Sequence, residues 1–326
     1  MARQIPLWTG TAVLLLVVGG WLFGTASSPG ASPGATAGKT FAGEIPISEI
    51  SGAAFLPDGR LLAVSDEGNT IFLLEKAAER LKTGKLEKKD FQVLTIPGKR
   101  AMDDLEDVAW DRQSGAFLVT SHSLNKKGKG FDEKPERFAI VRLPLGQNGG
   151  EKLPVFDLQA PQELKASTAL TPAKSGFNVE GAAWSQDGRL LLGLRSPLGP
   201  KLGPNGNAIV LEVKNPGKSP LQAEVKARLD LNGGGIRGMF YDPEEKGFWI
   251  LAGLSPDPEE AVEDTKRSLW LWRDNGALEP RTLPEEAQAF ANAETVTRVS
   301  MGGQPYLLLV EDAKVSRYLL FPVPRK

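Results

Sequence analysis

The sequence predicts an all-β protein: a β-propeller of four-stranded antiparallel blades, preceded by one N-terminal apolar segment. Three observations lead to this prediction: a long repeat, Asp-Gly turns between apolar runs, and little helical patterning. The chain is also rich in turn residues, with 36 glycines and 24 prolines among 326 residues. Hairpins that repeat at a long and nearly constant spacing are typical of propellers.

The repeat consists of five segments that share one pattern: an apolar strand, a turn and a second apolar strand. The segments begin at Glu49, Asp104, Asn178, Gly235 and Asn292, so the starts lie 55, 74, 57 and 57 residues apart. In two units the turn contains Asp-Gly, which is a strong hairpin signal between apolar runs. A two-sheet sandwich, the alternative all-β fold, would not require such a repeat.

Further strands are predicted outward from these hairpins. Third strands are expected at Thr70–Leu74, Phe138–Leu143, Ala208–Val213, Leu269–Trp272 and Ser316–Phe321. Weaker fourth strands are expected at Phe91–Ile96, Leu153–Leu158 and Ala223–Leu231. The best candidate for a short helix is Pro284–Asn292, which opens with Pro-Glu-Glu.

The number of blades follows from the length of the repeat. From Lys39 onward the chain has 288 residues, which corresponds to five units of about 57 residues each. The alternative is six blades, with one blade degenerated in the long second interval. The fifth unit lacks a strong outer strand. We expect Thr40–Ile47, which precedes the first inner strand, to supply that strand and close the ring.

Residues 1–26 are predicted to be a membrane anchor or a signal segment, residues 27–39 a flexible linker, and residues 40–326 the propeller. Ile5–Ala26 contains no charge, and 22 helical residues would cover roughly 30 Å of hydrocarbon. Arg3 precedes this run and no acidic residue occurs before Glu44. The positive-inside rule therefore predicts an extracytoplasmic body, either periplasmic or extracellular, with the anchor in the cytoplasmic membrane. Cleavage after the apolar run is the alternative to a retained anchor.

Composition excludes several classes of function. The formal net charge is −1, so the sequence offers no strongly basic face for nucleic acid. The absence of cysteine excludes thiol nucleophiles, thiolate zinc sites and disulfides. His122 is the single histidine, which excludes a multi-histidine metal site.

Charged side chains are expected to converge at the mouth of the central channel. The five units align on their third residue, which is Ser51, Glu106, Glu180, Arg237 or Glu294. The ends of the second strands add Asp66, Glu67, His122, Arg195, Glu311 and Asp312. Convergent charge is costly unless it is compensated. We therefore predict a ligand-binding site formed by Glu106, Glu180, Arg195, Arg237 and Glu294.

Two interpretations of this site stay open at the level of sequence. In the first, Arg195 and Arg237 pair with the three glutamates and form a polar plug that sets the spacing of the blades. In the second, the glutamates hold a hard divalent cation such as Ca2+, and the arginines bind an anionic group. We predict a ligand role for any carboxylate that the arginines do not reach.

Two further features have competing interpretations. His122 lies at a strand end and is the candidate general base, with a hydrogen-bonded structural histidine as the alternative. The acidic run Asp103–Asp107 has the composition of a metal site. Strand alternation, however, is expected to send its members to opposite faces, so that only one or two share a ligand.

The chain resembles the bacterial domain-of-unknown-function 3616 family. The resemblance rests on EISGAAF, DLEDVAW, NVEGAAW with DGRLLLGLRSP, and GGGIRGM, and it extends from Glu49 to Asp312. More distantly, the chain is similar to esterase-like phytase and gluconolactonase-type propellers. That similarity implies a metal-ligand role for Glu180 and, by position, for Glu106. Ser51 and Arg237 depart from it, because a carboxylate or amide would be expected at both positions.

The sequence as a whole predicts an extracytoplasmic propeller that acts as a ligand-binding or interaction module. Its partner would be a small anionic molecule or a protein, and Ca2+ is the candidate cofactor. The alternative is a metal-dependent, calcium-type hydrolase of an ester, a lactone or a phosphoester.

Overall fold

The structure is a computed structural model, and it describes most of the chain from residue 38 to residue 324. The described residues are 38–67, 70–95, 102–111, 115–127, 130–132, 134–143, 165–166, 176–199, 207–214, 216, 222–255 and 267–324. The predicted anchor and residues 27–37 of the predicted linker lie outside these ranges. Within them, no helix is both long enough and apolar enough to span a bilayer.

The described strands form a five-bladed propeller, which confirms the all-β prediction and the count of five blades. The chain starts with β1 (Phe41–Ile45), which belongs to the last blade. Blade 1 contains β2 (Ile50–Phe55), β3 (Leu61–Ser65), β4 (Thr70–Leu74) and β5 (Phe91–Thr95). Blade 2 begins with β6 (Leu105–Asp111) and β7 (Gly115–Thr120). A separate hairpin of β8 (Asn125–Lys127) and β9 (Gly130–Asp132) precedes its third strand, β10 (Ile140–Leu143).

The remaining blades follow the same order from the inner strand outward. Blade 3 contains β12 (Asn178–Trp184), β13 (Leu190–Ser196), β14 (Ala208–Val213) and β15 (Gln222–Leu229), with β11 (Lys165–Ala166) parallel to β15 at its edge. Blade 4 contains β16 (Gly235–Asp242), β17 (Gly247–Gly253), β18 (Ser268–Arg273) and β19 (Leu278–Arg281). Blade 5 contains β20 (Ala293–Met301), β21 (Gln304–Glu311) and β22 (Ser316–Pro322). The predicted fourth strand at Leu153–Leu158 lies outside the described residues.

Helical structure is sparse, as predicted. The only α-helix of the described residues is α1 (Ala77–Leu81), which the sequence analysis did not predict. Its residues Ala77 and Leu81 are buried in the apolar layer between blades 5 and 1. Short 3-10 helices span Lys88–Asp90, Pro135–Arg137 and Glu285–Ala289, and the last of these lies within the predicted helical segment.

The ring is closed by the first strand of the chain. β1 pairs antiparallel with β22, with Phe41 opposite Leu320 and Ile45 opposite Ser316. The predicted role of Thr40–Ile47 is therefore confirmed. Blade 5 is completed by a strand from the N-terminal end of the propeller, so closure rests on backbone hydrogen bonds between the two ends of the domain.

The core is divided among the interfaces between neighbouring blades. Buried apolar side chains of the described residues form five clusters, and each cluster joins one pair of adjacent blades. The second strand of a blade is covered on both faces, which explains its continuous apolar sequence. Trp249 of β17, for example, is fully buried between blades 4 and 5. Each such side chain contributes roughly 1.5–3 kcal/mol on burial.

The two ends of the channel differ in the loops that surround them. The loops after the second strand of a blade, and those that lead into the next blade, lie on one face, which we call the mouth face. The tight turns after the first and third strands lie on the opposite face, which we call the turn face. Asp58 and Asp187 lie in equivalent turns of blades 1 and 3 on the turn face.

Candidate functional site

The first strand of each blade is irregular at the same place. A β-bulge interrupts the pairing of the first and second strands in all five blades. The residue in the bulge is in every case the third residue of the sequence repeat, namely Ser51, Glu106, Glu180, Arg237 or Glu294. A bulge releases a side chain from the regular alternation of a strand. The alignment of the five units therefore corresponds to one structural position around the channel.

Three of the bulge residues form a chain of ion pairs across blades 3, 4 and 5. Arg237 Nη1 lies 3.0 Å from Glu180 Oε2, and Arg237 Nη2 donates to Glu294 Oε1. Arg195 Nη1 donates to Glu180 Oε1 at 2.7 Å, and Asn178 Nδ2 donates to the same oxygen at 3.0 Å. Glu180 is only 3% exposed, and Arg237 and Glu294 are each 8% exposed. We call these four charged residues, Glu180, Arg195, Arg237 and Glu294, the paired network.

The paired network is desolvated, so each buried charge depends on its oppositely charged neighbour. Glu180 Oε2 and Arg237 Nη1 lie 3.0 Å apart as an ion pair, although neither atom has a hydrogen-bond partner among the described residues. Burial lowers the pKa of Arg237, and the neighbouring charge of Glu180 opposes that change. A buried ion pair adds little net stability compared with an apolar pair, but removal of one partner leaves an uncompensated charge. Arg195 connects the network to the surface, because its Nε donates to the carbonyl oxygen of the exposed Leu254 at 3.1 Å.

Glu106 lies in the equivalent bulge of blade 2 and is outside the paired network. In the part of the chain that the structure describes, its carboxylate forms no ion pair and no hydrogen bond. Burial raises the pKa of Glu106 well above its usual range, and the charges of Glu180 and Asp104 raise it further. Arg237 lowers it only in part. Glu106 is thus the carboxylate that the arginines do not reach.

Other carboxylates on the mouth face extend this acidic region. Burial and the charges of Asp312 and Glu49 raise the pKa of Asp66 to about 7. Burial also raises the pKa of Asp312 and of Glu49. Among the described residues, Oδ1 of Asp66 and Oδ1 of Asp312 are buried without a hydrogen-bond partner. We call Glu49, Asp66, Glu106 and Asp312 the acidic side of the mouth.

Asp104 differs from these residues because it has a counter-charge. Its Oδ2 lies 3.0 Å from Nη1 of Arg137, which also binds Asp103. Within the run Asp103–Asp107, two residues are therefore used in ordinary ion pairs on the mouth face, and Glu106 is left unpaired.

Asp107 has a role that the sequence analysis did not assign. Its carboxylate accepts backbone N–H donors from Val108 at 2.8 Å, from Ala182 at 2.6 Å and from Met239. These donors belong to the inner strands of blades 2, 3 and 4, so one side chain joins three blades. Burial nevertheless raises the pKa of Asp107 well above its usual range, against the effect of the amide donors.

A β-bulge interrupts the strand alternation between Glu106 and Asp107, yet the two side chains have different surroundings, since only Asp107 accepts backbone N–H groups among the described residues. The expectation that only one or two members of the acidic run share a ligand stays a prediction. A signal for Asp107 existed in the repeat, since it aligns with Gly52, Gly181 and Gly238 of other units. A Cβ atom on Gly52 would lie 2.5 Å from Cα of Asp107, which shows how closely the inner strands approach. Three of the other four units have glycine at this position and the fifth has Thr295, so an aspartate there is unusual enough to mark it.

His122, the candidate general base, is buried and is only 1% exposed. Its backbone has a positive φ of 54°, and its Nδ1 lies 2.8 Å from the carbonyl oxygen of Thr120. Burial lowers the pKa of His122 to about 4, so the ring is neutral near pH 7. Its Nε2 is buried and has no hydrogen-bond partner among the described residues. A catalytic role for His122 stays a prediction.

The described residues contain no group of three or more acidic or histidine side chains arranged to hold one metal ion. Both oxygens of Glu180 already face guanidinium groups, so that carboxylate does not fit a calcium ligand in this arrangement. Glu106 is free of such partners. The Ca2+ prediction therefore stays a prediction, and of the two residues named for it Glu106 is the better suited.

Fold and site together define a class: a five-bladed β-propeller with a buried ionic network on one side of its channel mouth and unpaired carboxylates on the other. The chain belongs to the family described as "Protein of unknown function (DUF3616)", whose profile matches residues 145–315, just over half of the chain. The matched region contains the whole paired network, whereas Asp66, Glu106 and Asp107 precede it. The family resemblance seen in the sequence is confirmed.

Comparison with solved structures returns propellers of low sequence identity. The PQQ-bound aldose sugar dehydrogenase of Streptomyces coelicolor is 14% identical, with 87% of this chain and 98% of that chain covered and a TM-score of 0.38. A glucose dehydrogenase is 14% identical, with 87% and 99% covered and a TM-score of 0.43. The major allergen Mala s 1 of Malassezia sympodialis is 13% identical, with 84% and 77% covered and a TM-score of 0.42. No curated protein matches the chain. At these values no functional residue is transferred to this chain.

Proposed function

We propose that this protein is an extracytoplasmic ligand-binding module whose channel mouth holds the positively charged group of a small ligand on its acidic side. The observation that carries the proposal is the state of Glu106, a half-buried carboxylate with no ionic partner that faces other carboxylates. Burial and repulsion between carboxylates raise the pKa of Glu106 and Asp66, and a cation bound there would oppose both effects by stabilising the ionised carboxylates.

The distribution of positive charge at the mouth supports a cationic ligand group over the anionic one expected from sequence. Arg237 faces Glu180 and Glu294, and Arg195 is bonded to Glu180 and to the carbonyl oxygen of Leu254. An anion would have to compete with these carboxylates. Opposite them, Glu106, Asp66 and Asp312 form no ion pair within the described residues, and burial keeps the pKa of Glu106 and of Asp312 raised although the charge of Arg237 lowers both in part.

Exposed apolar side chains on the mouth face fit the same role. Leu254 follows β17 and is 46% exposed, and Val315 precedes β22 and is 47% exposed. Both lie in loops that surround the channel mouth. An organic ligand with an ammonium group would bury these side chains, whereas a bare divalent cation would not.

Two kinds of positively charged ligand share this chemistry, and one experiment separates them. We would measure the unfolding temperature of the full-length protein with Ca2+, Mg2+ or Mn2+ in one arm and with choline, spermidine or lysine in the other. A saturable rise in one arm identifies the source of the charge. Glu106→Gln should abolish that rise. Glu75→Gln, an exposed carboxylate on the turn face of blade 1, is the control and should retain it.

Absence of a rise in both arms would overturn the proposal, as would a rise that survives Glu106→Gln. The runner-up function, a metal-dependent hydrolase, is tested in the same series with generic ester, lactone and phosphoester substrates. Metal-dependent turnover that Glu106→Gln abolishes would replace the binding proposal with that one.

The extracytoplasmic location is supported by the uncharged run Ile5–Ala26 behind Arg3. Protease added to spheroplasts should digest the propeller while a cytoplasmic marker protein stays intact. Full protection of the propeller in intact spheroplasts, followed by digestion after lysis, would contradict this part of the proposal.

A further inference from the structure

A second cavity lies on the turn face between blades 3 and 4, at the opposite end of the strands from the channel mouth. Its volume is about 410 Å³, which is within the usual range of about 300–1,000 Å³ for small-molecule sites. One wall consists of three aromatic side chains, Tyr241, Phe248 and Trp272. We call this feature the turn-face cavity.

The aromatic wall follows from the register of blade 4. Tyr241 of β16 is opposite Phe248 of β17, and Phe248 is opposite Trp272 of β18. Ring centroids are 4.9 Å apart in the first pair and 5.2 Å apart in the second pair. Three adjacent strands thus place one ring each in a row. The planes of Tyr241 and Phe248 are inclined by 59° and those of Phe248 and Trp272 by 29°, and all three side chains are largely buried, so each ring contributes a small apolar patch to the cavity.

The rim of the cavity is polar and comes from two turns. Gln186 and Asp187 lie in the β12–β13 turn, and Asp274 follows β18. The hydroxyl of Tyr241 lies 3.2 Å from Gln186 Oε1 and 3.0 Å from Asp274 Oδ2. Burial raises the pKa of Tyr241 to about 12, so the hydroxyl keeps its proton near pH 7. A hydroxyl has one proton, so one of the two acceptors is left for a donor from outside.

The cations that line the cavity are already paired. Arg189 Nη1 lies 3.0 Å from Glu212 Oε2, and Lys226 Nζ lies 3.1 Å from the same oxygen. Arg273 Nε lies 3.1 Å from Glu279 Oε1. An anionic ligand would have to compete with these carboxylates, so the cavity is better matched to a ligand without net charge.

We propose that the turn-face cavity binds a neutral saccharide, with C–H groups of a sugar ring against the accessible apolar patches of the aromatic wall and its hydroxyl groups on Gln186 and Asp274. A sugar ring combines a flat face of C–H groups with a rim of hydroxyl donors and acceptors. The cavity offers a complementary set: apolar patches of three aromatic rings, a carboxylate and a side-chain amide. This site is separate from the channel mouth and does not depend on the function proposed for it.

The test uses the full-length protein in a detergent without a sugar headgroup. Glucose, galactose and maltose are titrated while tryptophan emission is recorded, and saturation-transfer NMR reports which sugar protons contact the protein. We expect saturable binding of at least one of these sugars. Asp274→Asn should weaken that binding at least tenfold, because it replaces one acceptor oxygen by a donor.

Controls separate a local effect from a general one. Glu75→Gln removes a carboxylate at the equivalent position of blade 1, directly after β4, and should leave sugar binding unchanged. Gln186→Ala should weaken binding as Asp274→Asn does. Asp274 is exposed, so its substitution should leave the unfolding temperature at the wild-type value.

The inference would be overturned if none of the three sugars bound saturably with a Kd tighter than about 10 mM. It would also be overturned if Asp274→Asn left sugar binding unchanged. Binding of glucosamine but not of glucose would contradict it as well, because it would indicate a cation site. Glu106→Gln should leave sugar binding intact, so failure at the channel mouth and failure at the turn-face cavity are distinguishable.

Discussion

The two sides of the channel mouth have side chains at the same backbone position, but the charges are paired on one side and unpaired on the other. In blades 3 to 5 the bulge residues are Glu180, Arg237 and Glu294, and the central arginine faces a carboxylate on each side. In blades 1 and 2 the bulge residues are Ser51 and Glu106, and the neutral serine donates to the carbonyl oxygen of Leu105. Glu106 therefore has a neutral neighbour on one side and Glu180 on the other.

This difference shows that the repeat fixes where side chains converge but not whether they neutralise one another. Blade 1 has Ser51 at the bulge position where blade 4 has Arg237. Because the serine is neutral, Glu106 of the neighbouring blade 2 has no positive charge beside it on that side. A structural role and a ligand-binding role can therefore coexist within one ring of equivalent residues. The predictions below test the contrast, from the largest expected change in stability to the smallest.

Removal of a charge from the paired network should have the largest effect. Glu180→Gln leaves two guanidinium groups without their shared carboxylate, and we expect a loss of about 3–5 kcal/mol in the free energy of unfolding. Denaturant unfolding measures this change. The triple variant Glu180→Leu, Arg237→Met and Glu294→Leu should recover much of the loss, because it removes all the buried charges of the network and leaves only the more exposed Arg195. A neutral effect of Glu180→Gln alone would contradict the contrast between the two sides.

Asp107→Asn should have the next largest effect, because the side chain accepts three backbone N–H groups. An amide retains one of the two oxygens, so at least one buried donor loses its partner. We expect a loss of about 1–3 kcal/mol in unfolding free energy. Asp230→Asn, a substitution at an exposed residue after β15 that breaks no ion pair among the described residues, serves as the control. Equal and small effects of both variants would show that Asp107 does not join the blades.

Asp66→Asn should raise stability, and the effect should depend on pH. The pKa of Asp66 is about 7 in the folded protein against about 3.9 in an unfolded chain. Its contribution is fully favourable below about pH 4 and is lost as pH rises through 7. We expect Asp66→Asn to stabilise the protein by about 1 kcal/mol at pH 8, after allowance for partial solvent exposure, and to change little at pH 4. Melting curves across this range measure it, and a constant difference would contradict the assignment.

Glu106→Gln should change the stability of the ligand-free protein least, with no change or a gain of at most about 1 kcal/mol. No ion pair is broken by this substitution among the described residues, and repulsion with Glu180 and Asp104 is reduced. Melting temperatures of Glu106→Gln and Glu180→Gln, measured side by side, give the sharpest form of the comparison. If both variants were destabilised equally, Glu106 and Glu180 would have the same structural role, and the contrast between the two sides of the mouth would be wrong.

Much of the fold was predictable because the repeat is regular and its turns are marked. The five blades, most third strands and the closing strand at Thr40–Ile47 follow from periodicity and from the missing outer strand of the last unit. α1 was not predictable, because a five-residue helix is too short to show a periodic pattern and depends on the burial of Ala77 and Leu81.

The site was predictable in its position but not in its pairing. Alignment of the units identified Glu106, Glu180, Arg237 and Glu294 as neighbours around one ring. It did not indicate which carboxylates the arginines contact, because that depends on how the side chains of neighbouring blades are placed relative to one another in the folded ring. The turn-face cavity was not predictable either, since it depends on the register that sets Tyr241, Phe248 and Trp272 side by side.

The pairing of β1 with β22 has a consequence for the order in which the protein can be completed. β1 leaves the ribosome first among the strands of the propeller, and its partner β22 leaves last, about 270 residues later. Blade 5 therefore cannot be completed until β22 has been synthesised, and β1 lacks its native partner strand until then. Truncation of the last strand should thus expose the first one, so an incomplete chain presents an unpaired edge at each of its ends.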